Sequence, residues 1–251
     1  MPHHFKRIVI IGATSSIAEH CARLLVDQCN VEMVLVGRDL DKIEHVASDL
    51  RVRSPKSTIS STVANFVDPT AIQVLIDRIF EAGAVDCVLI AHGSLPHQAH
   101  CQDNLAAAHE ALEVNGISPV LFAEAFASHL QRQDLGTLAV IGSVAGDRGR
   151  QSNYVYGAAK GLVTRYVQGL QHRLATTNVK IVLIKPGPTD TPMTATMKQQ
   201  GAKLASVQDV ASTIVAGIRK GKSVIYVPGK WEIIMMVIRH LPRFIFNKMD
   251  I

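Results

Sequence analysis

Ile8-Val9-Ile10-Ile11-Gly12-Ala13-Thr14-Ser15-Ser16-Ile17-Ala18 is the stretch whose reading decides the fold. Four consecutive β-branched apolar residues describe a strand buried on both faces, as in a parallel sheet, rather than a helix. Small residues then turn the chain into a helical pattern through Leu24, Leu25 and Val26. Strand, small-residue turn and helix in that order aim backbone N–H groups and a helix N-terminus at one point, where a phosphate is favoured. The turn holds a single glycine, so an ordinary tight turn between strand and helix is the competing reading.

The same unit recurs downstream. Met33–Val36 forms a second strand ending at Gly37-Arg38-Asp39, and residues 39–53 read as a surface helix. In a dinucleotide-binding sheet the end of the second strand faces the adenosine ribose, where an arginine accommodates a 2′-phosphate. Arg38 therefore points to NADP(H) over NAD(H), against the alternative of a solvated charge pair with Asp39 or Asp41. A third strand covers 58–66, and Asp68-Pro69 supplies an N-cap and first-turn pair for the next helix. Further strands cover 85–91 (ending at His92-Gly93), 137–141, 179–184 (ending at Lys185-Pro186-Gly187-Pro188) and 224–227. Long helices are expected over 104–132, containing Asn115, and over 153–175. This alternation predicts one doubly wound α/β (Rossmann) domain, a seven-stranded, mostly parallel sheet with helices on both faces. Gly12, Arg38, His92, Ser143 and Pro186 all fall at the carboxyl ends of strands, where ligands bind in such sheets.

Ser143 follows the fifth strand, Tyr156 comes thirteen positions later and Lys160 four after that. Four residues on a helix bring a tyrosine and a lysine onto one face. A cation beside a phenol favours the phenolate and tunes it for proton transfer, and a serine hydroxyl can hold a carbonyl or alcohol oxygen.

Composition sets the frame. The chain has 251 residues, 47% hydrophobic and 19% charged, with a net charge of +5. That suits one domain, residues 1–230, with 231–251 as an apolar and basic helical extension. Lys and Arg are dispersed rather than clustered, which argues against a nucleic-acid partner. Cys21, Cys29, Cys87 and Cys101 show no metal-ligand spacing with histidine, so no metal site is expected and buried free thiols are the simple reading. The opening Met1–Arg7 lacks a signal-peptide pattern, which points to the cytoplasm.

Over essentially its full length the chain resembles the short-chain dehydrogenase/reductase family. The resemblance rests on Gly12-Ala-Thr-Ser-Ser-Ile17-Ala18, Asn115, Ser143, Tyr156-xxx-Lys160 and Pro186-Gly187-Pro-Thr-Asp-Thr191. It implies NAD(P)-dependent interconversion of a ketone and an alcohol. Tyr156 would be the acid/base, Ser143 would hold the reacting oxygen, and Lys160 would bind the nicotinamide ribose and lower the tyrosine pKa. Asn115 would keep a helix kinked around a proton-relaying water. Gly12, Thr14, Ser15, Ser16 and Ile17 would cradle the diphosphate; Asn65, Phe66, Ala91, His92 and Gly93 would line the adenosine side. Pro186, Gly187, Thr189 and Thr191 would form the nicotinamide pocket.

The chain departs from the family pattern in three places. Ser16 and Ala18 stand at the second and third glycine positions, Asn65 stands where an aspartate is usual, and Ala91-His92-Gly93 replaces Asn-Ala-Gly. Altered cofactor contacts rather than lost binding are expected, with His92 packing beside the cofactor. Tyr154 is a decoy, because Ala158 follows it at the lysine spacing. A narrower resemblance, through Ala145-Gly-Asp-Arg-Gly-Arg-Gln-Ser-Asn-Tyr154 and Asp190-Thr-Pro-Met193, is to bacterial decaprenylphosphoryl-2-keto-pentose reductases. It implies a keto-sugar on a lipid carrier. A 3-oxoacyl or small ketone is the alternative substrate, and an NADP-sensing binding protein without turnover the alternative class. The family implies a homodimer or homotetramer.

Two segments bear on substrate choice. Residues 192–204 form either a mobile lid or a surface excursion. Residues 231–251 carry Trp231, an apolar run and flanking basic residues, which fits peripheral contact with the inner face of a membrane or packing on protein. Arg148 and Arg150 are candidates to meet a substrate phosphate, or else to pair with Asp147 or face solvent.

Overall fold

The structure is a computed structural model that describes residues 5–27 and 30–249. Cys29, Met1–His4 and the last two residues of the extension, Asp250 and Ile251, lie outside the described residues. The strands are β1 (Arg7–Ile11), β2 (Glu32–Gly37), β3 (Thr58–Val63), β4 (Cys87–Ile90), β5 (Thr137–Ile141), β6 (Lys180–Pro186) and β7 (Val224–Val227). They form one sheet in the order β3-β2-β1-β4-β5-β6-β7, with every strand pairing parallel. Sequence order reverses between the neighbours β1 and β4, which opens a crevice beyond their carboxyl ends.

Alternation along each strand sorts side chains into two layers. Ile8 and Ile10 face a layer built from α1 (Ser16–Val26), α2 (Leu40–Arg53) and, later in the chain, the helix Val207–Arg219. Val9 and Ile11 face α3 (Pro69–Glu81) and the two long helices at Ser118–Gln133 and Tyr154–Arg173. Asp68 caps α3 as expected, its carboxylate accepting from the N–H groups of Thr70 and Ala71, with Pro69 in the first turn.

The expected single helix over 104–132 is divided. Two short helices, α4 (Gln98–Asp103) and α5 (Leu105–Leu112), precede a π-helical turn at Glu113–Ile117, and α6 (Ser118–Gln133) continues from it. Asn115 causes the division: its Nδ2 donates to the Ala111 carbonyl at 2.9 Å, while its Oδ1 leaves the helix to accept from the Ser94 N–H at 2.8 Å. β3 ends at Val63, short of the expected 66, because Asn65 folds back to accept the Val67 N–H. β4 begins at Cys87 rather than 85.

Beyond β5 a 3-10 turn at Val144–Asp147 leads to α7 (Tyr154–Arg173). Residues 192–204 hold a 3-10 turn at Pro192–Thr194 and the short α8 (Ala195–Gln199); α9 (Val207–Arg219) follows. The extension consists of α10 (Lys230–His240) and α11 (Arg243–Phe246). Cys21, Cys87 and Cys101 are buried free thiols. Among the described residues no helix is long and apolar enough to cross a membrane.

Two close backbone approaches hold α7 against the rest of the site. A Cβ on Gly116, in the π turn, would lie 3.2 Å from the Ala159 Cα. A Cβ on Gly146 would lie 2.5 Å from the Lys160 carbonyl oxygen, closer than any side chain allows. Glycine at 146 therefore sets the distance between the Ser143 turn and the Tyr156 helix. Gly146→Ala should lower stability by about 1–3 kcal/mol, as an overpacked backbone contact does. Gly149→Ala, with nothing within 4 Å, should leave the melting temperature near that of the parent protein. Thermal unfolding of the two variants checks the pair.

Candidate active site

The turn after β1 is built by conformation as much as composition. Gly12 has φ +81°, and a Cβ there would meet the His92 backbone nitrogen at 2.6 Å. Its N–H and that of Ala13 donate to the Val36 carbonyl, tying the turn to β2. Ser15 occupies the N-cap of α1, but its hydroxyl makes no capping bond. Thr14, Ser15 and Ser16 at the helix N-terminus line a cavity of about 380 Å³ that also takes in Ile17, Arg38, Asn65, Phe66, His92 and Gly93. Arg38 is exposed and makes no ion pair among the described residues, because Asp39 instead caps α2 and pairs with Lys42. A helix start lined by small hydroxyl residues, a guanidinium at the end of β2 and a groove between them suit a dinucleotide.

His92 packs rather than titrates. Its ring meets Phe66 and Phe122 edge to face, at centroid distances of 4.8 and 5.5 Å, and Nε2 lies 2.8 Å from the Ser118 hydroxyl. Burial, reinforced by the charges of Lys160 and Arg38, pushes its pKa down to about 3. The imidazole is neutral at physiological pH, with Nδ1 buried and unpartnered.

A second chamber of about 330 Å³ shares Ser15, Ile17, His92, Gly93, Thr191 and Met193 with the first. It adds Ala91, Asn115, Ser143, Tyr156, Lys160, Pro186, Gly187 and Thr189, so the expected site residues converge on one continuous groove. Ser143 follows β5 in extended conformation, and its Oγ accepts the Ala145 N–H at 3.1 Å. The backbone occupies an oxygen lone pair, which leaves the hydroxyl proton to donate into the chamber. Tyr156 lies at the start of α7, and Lys160 is one turn further on. Tyr154, the decoy, is exposed.

Lys160 is only 3% exposed; its Nζ donates to the Ile141 carbonyl at 3.3 Å, and burial pushes its pKa down to about 8. The ammonium stands 5.9 Å from the Tyr156 ring centroid. The expected depression of the tyrosine pKa by Lys160 is not found here. Burial raises Tyr156 above the usual phenol range, and hydrogen bonding with Ser143 opposes that only in part. The phenol is therefore held as an acid. Gly93 lies against both Asn115 and Lys160: a Cβ there would meet Asn115 Oδ1 at 2.9 Å and Lys160 Nζ at 3.5 Å.

The loop after β6 is braced internally. Thr189 Oγ1 donates to the Gly187 carbonyl, and Thr194 Oγ1 donates to the Thr189 carbonyl. Met193 and Met197, from the segment treated as a lid or excursion, both line the second chamber. Lining residues outside the expected set include Ser94, Ser118, Asn153 and Trp231. The indole of Trp231 lies against Gly187, where a Cβ would fall 2.0 Å from Nε1. Only that glycine hints at the contact, since the two residues are far apart in sequence.

The arginine alternatives also separate. Asp147 forms a buried ion pair with Lys185 and accepts from the Tyr226 hydroxyl, so it pairs with neither Arg148 nor Arg150. Arg148 donates to the carbonyls of Ile238 and Leu241 at the end of α10 and lies 3.6 Å from the Phe246 ring centroid. Arg150 lines the second chamber. No cluster of metal-ligating side chains is found among the described residues.

Residues 6–202 match the family model for short chain dehydrogenases. An uncharacterised oxidoreductase of Streptomyces coelicolor is 29% identical over 97% of this chain and 96% of its own length. Another from Mycobacterium tuberculosis is 28% identical over 96% of each. Among solved structures, a short-chain dehydrogenase from Sphingobium yanoikuyae in complex with NADPH superposes with a TM-score of 0.81 at 19% identity, covering 95% of this chain and 97% of the other. A 3-oxoacyl-[acyl-carrier protein] reductase from Brucella melitensis in complex with NAD gives 0.80 at 20% identity, covering 92% and 98%. At these identities the structural likeness speaks for the fold.

Lys160 carries a pH signature. Below about pH 8 its amine is protonated both folded and unfolded, so the cost of burying the charge is present in full; between about 8 and 10.4 the unfolded chain holds more protons and stability rises with pH. Lys160→Met lacks this contribution. Urea denaturation in the absence of cofactor should show the parent protein gaining stability relative to the variant as pH rises from about 7 to about 10. A difference independent of pH would contradict the burial of a charged amine.

Proposed function

The chain belongs to the short-chain dehydrogenase family of NAD(P)-dependent oxidoreductases, and on that premise we propose that it is an NADP(H)-dependent reductase interconverting a ketone and a secondary alcohol. The observation that carries the reading is the convergence of Ser143, Tyr156 and Lys160 on a chamber continuous with the phosphate turn and Arg38. NADPH held by the Gly12–Ile17 turn and Arg38 would supply the hydride that reduces the carbonyl carbon. Ser143, its oxygen pinned by the Ala145 N–H, donates a hydrogen bond to the ketone oxygen, keeps its own proton and orients the carbonyl. Tyr156, kept protonated by burial, transfers its proton to that oxygen as the carbon–oxygen double bond becomes single. Lys160, its pKa lowered by burial to about 8, returns a proton to the phenolate, and Asn115 holds the helix turn that lies beside it.

Arg38 supports the preference for NADP(H) over NAD(H), because it stands at the end of β2 with no carboxylate to satisfy it. Asn65 and Phe66 form the adenine side; Pro186, Gly187, Thr189 and Thr191 form the nicotinamide side. We read residues 1–230 as the cofactor-binding and catalytic body and 231–251 as an extension of it. The resemblance to keto-pentose reductases extends the proposal to a keto-sugar on a lipid carrier. Exposed Ile233, Met236, Val237, Phe244 and Ile245 on α10 and α11, close to Lys230, Arg239 and Arg243, support peripheral contact of a cytoplasmic enzyme with an anionic membrane face. Exposed Leu105, Leu112, Ile117 and Leu162 on the helices bearing Asn115 and Tyr156 support a homodimer or homotetramer.

Two substitutions test the reading. Tyr156→Phe should lower ketone reduction by roughly 10²–10⁴-fold while NADPH affinity, followed by fluorescence titration, stays close to that of the parent. Near-normal turnover would sink the mechanism. Arg38→Ala should weaken NADP(H) binding by roughly tenfold or more and NAD(H) binding little, as loss of a charge-assisted contact predicts. Equal losses for both cofactors would refute the specificity assignment.

A further inference from the structure

Arg150 makes no ion pair among the described residues. It lies in the tight turn before α7, where its carbonyl accepts the Asn153 N–H at 3.2 Å. Its side chain is partly buried, and Nε is shielded from solvent with no hydrogen-bond partner. A guanidinium is always charged, and burying one of its N–H groups unpaired costs roughly 1–3 kcal/mol or more. The nearest carboxylate in sequence, Asp147, is held by Lys185 and Tyr226. Arg148, two residues earlier, has its head group committed to the end of α10.

The surroundings define what answers the charge. Arg150 lines the chamber of Ser143, Tyr156 and Trp231 but not the one formed by Gly12 and Arg38, so it stands apart from the phosphate turn. Among the described residues no Asp or Glu lines its chamber, whereas Lys160 adds a second cation. Asn153 Oδ1 is likewise buried without a partner beside the same chamber, an amide head group ready for a hydroxyl. Desolvation lowers the guanidinium pKa, which agrees with its enclosure.

We propose that Arg150 is a specificity residue that binds an anionic group, carboxylate or phosphate ester, on the ketone substrate, with Asn153 engaging a neighbouring hydroxyl. This rests on the reductase reading above and narrows its substrate class to acidic ketones. A guanidinium matches both oxyanions through paired N–H donors, and a site built for a charged group rejects ligands that lack it.

Trp231, the chain's one tryptophan, lines this chamber and reports its occupancy. The test titrates the full chain, saturated with NADP⁺ to prevent turnover and repeated without cofactor, with levulinate, dihydroxyacetone phosphate and neutral cyclopentanone, following Trp231 emission. At least one charged ketone should bind roughly tenfold to a hundredfold more tightly than cyclopentanone. The better of the two distinguishes carboxylate from phosphate. Arg150→Met should erase that advantage, and Arg150→Lys, which keeps the charge but loses the fork, should retain part of it. A parent protein that does not favour charged ketones overturns the proposal. So does an advantage that survives in Arg150→Met, or a loss that Arg150→Met shares with NADP⁺ affinity. Failure of the parent protein to bind NADP⁺ at all, with charged ketones still quenching Trp231 through Arg150, would sink the reductase reading and leave the anion site standing.

Discussion

Lys160 is buried on α7 with a single carbonyl oxygen, that of Ile141, within hydrogen-bond reach of its ammonium and no carboxylate beside it. A charge taken out of water without a counter-ion is costly, and the falling pKa of the amine records that cost. The fold sustains it because α7 is pressed from two sides by close backbone approaches, tightly by Gly116 from the π turn and without room for any side chain by Gly146 from the turn after Ser143. Asp147 pairs with Lys185 and Asp190 with Lys198, so neither answers this charge. The result is a groove with positive charge and no fixed negative charge, a setting that favours anionic ligands along its whole length.

The same economy explains the altered phosphate turn. Three glycines are usual in this family and this chain keeps the first, where the backbone is left-handed and His92 packs against it without room for a side chain. Ala18, at the third position, is fully buried in the α1 layer, so a methyl group fits between helix and sheet. Ser16 lines the cavity and offers a hydroxyl where glycine offers only backbone. His92 in turn fills the space beside Phe66 and Phe122 and stays neutral.

Much of this was legible in the chain. Runs of β-branched residues marked the strands because a parallel strand buried on both faces needs apolar side chains on both. The Asp68-Pro69 pair marked a helix start because capping and a fixed φ act locally. Boundaries were less legible: β3 stops early because Asn65 closes its own turn, and the helix around Asn115 divides because one side chain bonds Ala111 and Ser94 at once. Helix propensity carries no trace of a partner contributed from another segment. The tyrosine–lysine spacing placed both groups on one helix face, but the balance between burial and charge at Tyr156 depends on how deeply that face is covered.

Sequence by itself determined the sheet, the order of its elements and the serine–tyrosine–lysine set, because these follow from local periodicity and fixed spacing along one helix. Only the tertiary structure decided which charges are satisfied. Asp147 meets Lys185 and Tyr226 across three separate elements, Arg148 meets the end of α10, and Trp231 closes over Gly187. Ion pairs are settled by distance and burial rather than by neighbourhood in the chain. Three basic and acidic residues standing close together at 147, 148 and 150 therefore end in three different environments.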